Sequence, residues 1–190
     1  MGETVRVFVA LEISDEVRAG LAAVQEQLKA VGAQVSWVAP ENIHLTVAFL
    51  GDVFESGLSV LSDRLDQAVD SIPPFSLSVQ GLGRFGPARA PRVIWAGVRA
   101  PGELTRLYQG VADVLKGADI ELEDRPFAPH VTIGRIKGPK NVAALTSQIA
   151  SIKNASFGEV RVVRLLLMRS HLEQPRASYS ELHASSLKGM

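Results

Sequence analysis

Cysteine is absent from this 190-residue chain, which removes disulfide scaffolds, thiolate nucleophiles and zinc–thiolate sites together and fits a reducing, cytoplasmic setting. Net charge is missing too: 20 basic and 20 acidic residues cancel. With no global field to draw the protein onto nucleic acid or an anionic membrane, any such contact must be local. No hydrophobic stretch approaches membrane-spanning length, no apolar signal region follows Met1, and Arg6 stands where a myristoylation signal needs Ser or Thr. The expectation is a soluble, unprocessed protein without a membrane partner. What remains is ordinary for a globular chain, with 46% hydrophobic and 21% charged residues. The length suits one well-buried domain or two small lobes packed together, acting as a monomer.

The hydrophobic pattern runs through one series of elements and then repeats it. Residues 5–11 are apolar and β-favouring. Ser14 then caps a helix with Asp15 and Glu16 in its first turn and Val17, Leu21, Val24, Leu28 and Val31 on one face, and Gly32 ends it. Strand patterns at 34–38 and 43–50 flank turn residues 39–42. A weaker helix presents Leu58, Leu61, Leu65 and Val69, and a strand with Phe75, Leu77 and Val79 precedes a Gly/Pro/Arg-rich loop at 81–91. The second series has a strand at 92–98, a helix at 103–116 presenting Leu104, Leu107, Val111 and Leu115, a short strand at 119–122 and a strand at 130–136. Asn141 can cap a helix through Val142, Leu145 and Ile149, followed by an apolar strand at 160–168 and a last one at 179–183.

Each half, about 1–85 and 86–190, thus reads β-α-β-β-α-β, and an offset of 86 carries His44 onto His130, Thr46 onto Thr132 and Val7 onto Val93. The fold expected is α+β: a single bilobal domain over 1–190, built as a pseudo-twofold duplication with equivalent strands facing each other across a cleft.

Two tetrads in strand patterns carry the chemistry, His44-Leu45-Thr46-Val47 and His130-Val131-Thr132-Ile133. Strand alternation puts His44 and Thr46 on one face and Leu45, Val47 and Phe49 on the other, with the same parity for His130 and Thr132. With four histidines and five threonines in the chain, finding Thr two places after two separate histidines is roughly a one-in-several-hundred coincidence. Hydrolysis by an attacking water needs a proton acceptor for that water and a donor for the departing oxygen, and two opposed imidazoles can supply both near neutral pH. Threonine hydroxyls beside them can donate to the oxygens of an anion held between the strands.

The sequence resembles the 2H phosphoesterases, named for two His-x-Thr/Ser-x motifs, and among them the RNA 2′,3′-cyclic phosphodiesterases once called 2′-5′ RNA ligases. The likeness includes Trp37-Val38-Ala39-Pro40-Glu41-Asn42 before His44, Phe49-Leu50-Gly51 after it, residues 91–97, and Arg125-Pro126-Phe127-Ala128-Pro129 before His130. It implies two antiparallel sheets lining a V-shaped cleft, with helices outside, and hydrolysis of a terminal 2′,3′-cyclic phosphate on RNA ends or small cyclic nucleotides to a 2′-phosphate. It also implies His44 as general acid, His130 as general base, Thr46 and Thr132 at the phosphate, and Arg135 as an added phosphate contact. Strict alternation would turn Arg135, five residues after His130, away from the histidine face, so a bulge or strand end must re-aim it.

Other features carry less. Gly81-Leu82-Gly83-Arg84-Phe85-Gly86 spells GxGxxG, but Pro87 and a strand follow where a dinucleotide site needs a helix, leaving a cleft-mouth turn that could bring Arg84 or Phe85 to a nucleotide. His171 and His183 lack a Thr two places on and read as structural, as do Trp37, Trp95 and Phe127 as core aromatics. Two histidines without a third ligand fall short of a metal site, so neither metal nor other cofactor is expected. Alternatives are another substrate of the same chemistry (a 2′-5′ oligonucleotide or a cyclic phosphate on an ADP-ribose derivative), weak 2′-5′ RNA ligation, or a non-catalytic RNA-end binding module.

Overall fold

The computed structural model describes residues 2–87, 89–100, 102–118, 120, 126–171 and 178–189. Its elements, in chain order, are β1 (Thr4–Leu11), α1 (Asp15–Lys29), β2 (Val35–Trp37), β3 (Leu45–Phe54), α2 (Leu58–Val69), β4 (Phe75–Phe85), β5 (Val93–Arg99), α3 (Gly102–Lys116), β6 (His130–Ile136), α4 (Val142–Ser151), β7 (Ser156–Val162), β8 (Arg164–His171) and β9 (Ser178–Ser186). Apolar residues at helical spacing explain the four helices. Val17, Leu21, Val24 and Leu28 of α1, Leu61, Leu65 and Val69 of α2, all four expected positions of α3, and Leu145 and Ile149 of α4 are buried in one core with alternate strand residues.

All strand pairs are antiparallel and run in the order β7-β4-β5-β6-β3-β1-β8-β9, with β2 added beside β6. All these strands form one nine-stranded sheet, and the two sheets expected are its halves. They meet at one matched couple, Leu45 opposite Val131. Outward from that couple the order is β3-β1-β8-β9 on one side and β6-β5-β4-β7 on the other, a symmetric arrangement in which β4, from the first repeat, pairs with β5 and β7, while β8 and β9 return to β1. Because β3 and β6 share only one couple, the halves splay apart from it, and the splay opens a cleft on the face opposite the core.

Several local expectations change. Residues 81–85 are not loop: β4 continues through them to Phe85, with a bulge at Gly81, whose φ of +67° is open to glycine at low cost. The apolar run at 160–168 is two strands, β7 and β8, broken at the exposed Val163, because one pairs with β4 and the other with β1. Ser14 caps α1 by accepting from the Val17 N–H at 3.3 Å, but Asn141 makes no side-chain cap to α4. Its φ is +56° and its amide donates instead to the Val31 carbonyl at 2.9 Å, tying α4 to the end of α1. The expected strand at 119–122 and Arg125 fall on residues outside those described, apart from Ile120, which is in no strand.

Candidate active site

Leu45 and Val131, the matched couple, are 1% and 0% exposed and face the core. Their strand neighbours must therefore point the other way, into the cleft. In an antiparallel pair the flanking residues face one another crosswise. His44 thus lies across from Thr132, and Thr46 across from His130. The two histidines thus stand diagonally across the single matched couple, where the strands part.

Each imidazole is oriented the same way. His44 Nδ1 is 2.8 Å from the Asn42 carbonyl and His130 Nδ1 is 2.7 Å from the Ala128 carbonyl, in both cases two residues upstream. A carbonyl only accepts, so each Nδ1 carries the proton and each Nε2 is left for chemistry. His44 Nε2 lies 3.0 Å from Thr46 Oγ1. Around His44 the Phe8 ring stacks at 4.8 Å and Tyr179 meets it edge-on at 5.4 Å, whereas His130 meets the edge of Phe85 at 4.8 Å. Burial pushes the His44 pKa below its ordinary value, only partly offset by the hydrogen bond to the Asn42 carbonyl.

A bulge at the last residue of each motif stands at the equivalent place in both repeats. Val9 pairs with Ala48 and Ala10 with Thr46, so Val47 is the extra residue in β3. Ile94 pairs with Gly134 and Trp95 with Thr132, so Ile133 is the extra residue in β6. The bulge reverses parity beyond it. Phe49 stands opposite Phe8, and Arg135 opposite Val93, so both lie on the histidine face, at equivalent positions in the two repeats. For Arg135 this supplies the re-aiming its position requires. For Phe49 it overturns simple alternation: the ring faces the cleft, 54% exposed and 6.1 Å from Phe8. Beside β3 and β6 the repeat slips by one residue, since Val93 takes the place of Phe8 rather than of Val7.

Trp95, expected in the core, instead lies on the cleft face beside Thr132. Its ring covers Gly83 and leaves no room for a Cβ there. Phe85 shares that face while Arg84 alternates to the other. Trp37 does pack against the core, and Phe127 stacks on Tyr108 at 4.1 Å. His171 bonds Ser180 at 2.9 Å and His183 bonds Asp66 at 2.8 Å, so both have local partners away from the paired motifs. Among the described residues, no three His, Asp or Glu side chains converge as a metal-ligand set.

A small hollow of about 150 Å³ adjoins His44, lined by Glu12, Glu41, Tyr179 and Glu181 among others. A roomier one of about 890 Å³, beside Leu61 and Arg64 of α2, contains neither motif, so volume does not mark the site.

A model of the family described as LigT like Phosphoesterase matches residues 11–95 and 98–179. The chain belongs to that family. It is 32% identical over 189 residues to the RNA 2′,3′-cyclic phosphodiesterase of Methanothermobacter thermautotrophicus, spanning 96% of this chain and 99% of that one. To the protein of the same name from Archaeoglobus fulgidus it is 34% identical over 177 residues, spanning 93% and 97%. A solved structure from Thermus thermophilus superposes with a TM-score of 0.80 at 30% identity, spanning 97% and 98% of the two chains. Within this LigT-like fold, Phe8, Phe49 and Tyr179 are the cleft residues that motif reading misses. Phe49 is hidden by the bulge, and Tyr179 reaches His44 only through the pairing of β9 with β8 and of β8 with β1. Among the described residues no helix is long and apolar enough to cross a membrane.

Proposed function

We propose that the protein hydrolyses the 2′,3′-cyclic phosphate of RNA ends or small nucleotides to a 2′-phosphate, using His44 and His130 as general acid and base. The observation that carries this reading is the crosswise placement of two His–Thr pairs at the junction of the halves, with both Nδ1 atoms committed to backbone carbonyls. The names of the relatives over nearly the full chain support the substrate class.

In the proposed step, His130 Nε2 takes a proton from water as its oxygen bonds to phosphorus. The P–O3′ bond breaks, and protonated His44 delivers its Nε2 proton to the 3′-oxygen. The products are a 2′-phosphate monoester and a free 3′-hydroxyl, and proton exchange with solvent resets both imidazoles. Thr46 and Thr132 donate to the non-bridging oxygens, and Arg135 adds a charge-assisted contact. The exposed Phe49 ring, with Phe8 and Tyr179 behind it, offers a face on which the terminal base can stack. The residues at hand transfer both protons without a metal ion, and the reading is of a monomer working in the cytoplasm.

Incubation of EDTA-treated protein with a 2′,3′-cyclic nucleotide, followed by chromatographic separation of the 2′- and 3′-phosphates, tests this. The expected outcome is full turnover to the 2′-phosphate alone. Binding without turnover would make the protein an RNA-end binding module, and activity restored only by a divalent cation would overturn the two-histidine reading.

A further inference from the structure

The chain's charges cancel overall, but not locally around the cleft. On the His44 side the small hollow is lined by Glu12, Glu41 and Glu181 with Arg18 as its one arginine. Arg18 lies 3.6 Å from Asp15, and Arg164 is shared between Glu12 at 2.8 Å and Glu181 at 3.6 Å. Glu41 is in no ion pair among the described residues. This side is no place for a polyanion.

On the His130 side the sign reverses. Arg135 stands opposite Val93, Val93 opposite Phe85, and the Phe85 ring reaches back to His130. Beyond Phe85 the β4–β5 turn carries Arg89 and Arg92. Arg92 continues β5, its carbonyl accepting from the Ile136 N–H at 2.9 Å, so its side chain takes the core-side face with Ile136, while Lys137, the next residue along, returns to the cleft side. The stretches that meet here, 34–38, 81–92 and 130–140, contain no aspartate or glutamate. Arg89, Arg92, Arg135 and Lys137 are all exposed, and none is in an ion pair among the described residues. Unneutralised cations gathered beside a cleft repel one another, and a polyanion relieves that repulsion.

We propose that the β4–β5 turn and the end of β6 form a track for the RNA backbone upstream of the terminal cyclic phosphate, with Arg89 and Lys137 meeting successive phosphates. The proposal rests on the hydrolytic reading above and adds the path of the rest of the substrate. A cyclic phosphate occupies both the 2′- and 3′-oxygens of the last ribose, so the strand can continue only from the 5′-oxygen. The charge distribution directs that continuation over the His130 side. A cyclic mononucleotide fills the cleft without reaching the track. Cyclic-phosphate ends of oligonucleotides are then bound more tightly than mononucleotides, and with a salt dependence that mononucleotides lack. Single strands contribute a slope of about −0.7 in log K against log salt per phosphate neutralised, or about −1.4 for two.

The test is an Arg89→Gln/Lys137→Gln variant, which changes only exposed side chains. Two readouts are needed: kcat/KM on a 2′,3′-cyclic mononucleotide, and fluorescence-anisotropy binding of a labelled oligoribonucleotide ending in a 2′-phosphate, across a salt series. The expected result is mononucleotide turnover within about twofold of wild type, at least tenfold weaker oligonucleotide binding at low salt, and a salt slope reduced by about 1.4. Oligonucleotide binding and slope unchanged in the variant would overturn the track, as would wild-type binding no tighter than that of a 2′-mononucleotide. The hydrolytic reading fails separately, by absence of mononucleotide turnover in the wild type, and the binding series still decides the track in that case.

Discussion

His44 illustrates how one residue's surroundings set its chemistry. The ring stacks on Phe8 and meets Tyr179 edge-on, and the resulting desolvation favours the neutral imidazole in the free protein. A general acid must nevertheless be protonated. The negative charge of a bound phosphodiester supplies the missing stabilisation, since an anion near an imidazole favours its charged form. The fraction of free protein with His44 protonated falls as pH rises through its lowered pKa, and in the complex the same loss comes at higher pH. The alkaline limb of kcat is therefore expected at higher pH than that of kcat/KM, because the first reports the complex and the second the free protein. Coincident limbs in steady-state pH profiles would argue against the acid role of His44. The motif histidines are open to reading from sequence alone because a period-two rule relates His to Thr within a single strand. The depressed pKa is not, because the groups that cause it come from β1 and β9.

At the level of elements, the paired bulges decide which residues reach the cleft. The bulge in β6 is fastened from behind: the Ile133 carbonyl accepts from the Val38 N–H at 3.1 Å and from the buried Gln25 amide of α1 at 2.8 Å, and the same amide nitrogen also donates to the Val38 carbonyl at 2.8 Å. Gln25 is 1% exposed on an otherwise apolar helix face. Gln25→Ala leaves the Val38 carbonyl without its amide donor and frees the bulge, at an expected cost of about 1–3 kcal/mol in urea unfolding. It should also lower kcat/KM, and that loss should not add to the loss in Arg135→Ala, because both act through the position of one guanidinium. Fully additive losses would mean that Gln25 supports the fold without positioning Arg135. Alternation along a strand cannot reveal an extra residue. The sequence pattern therefore places Phe49 on the core side and leaves Arg135 unresolved, while it locates α1, α2 and α3 by faces that are indeed buried.

For the whole molecule, the exchange of strands between repeats matters most. The sequence pattern suggests halves at about 1–85 and 86–190, and a reading by repeats alone gives each its own sheet. In the structure β4 lies between β5 and β7, and β8 and β9 complete the sheet begun by β1 and β3. Hydrophobic patterning marks where strands are but carries little information on which distant strand each one pairs with, so the exchange could not be read in advance. A chain of residues 1–85 would leave β4 without both partners and the Val7–Ala10 segment of β1 open on one edge. Neither half is expected to fold alone by circular dichroism, while the full chain should unfold in one cooperative transition. The same arrangement brings one histidine from each repeat to the Leu45–Val131 junction, which is the basis of the functional account. The most direct test compares His44→Ala and His130→Ala on two substrates, a 2′,3′-cyclic nucleotide and a nitrophenyl phosphodiester whose leaving group needs little protonation. The account predicts losses of about a hundredfold to ten-thousandfold in kcat/KM for both variants on the cyclic nucleotide. On the nitrophenyl ester it predicts substantial recovery for His44→Ala but not for His130→Ala. Cyclic-nucleotide turnover near the wild-type rate in either variant would contradict it.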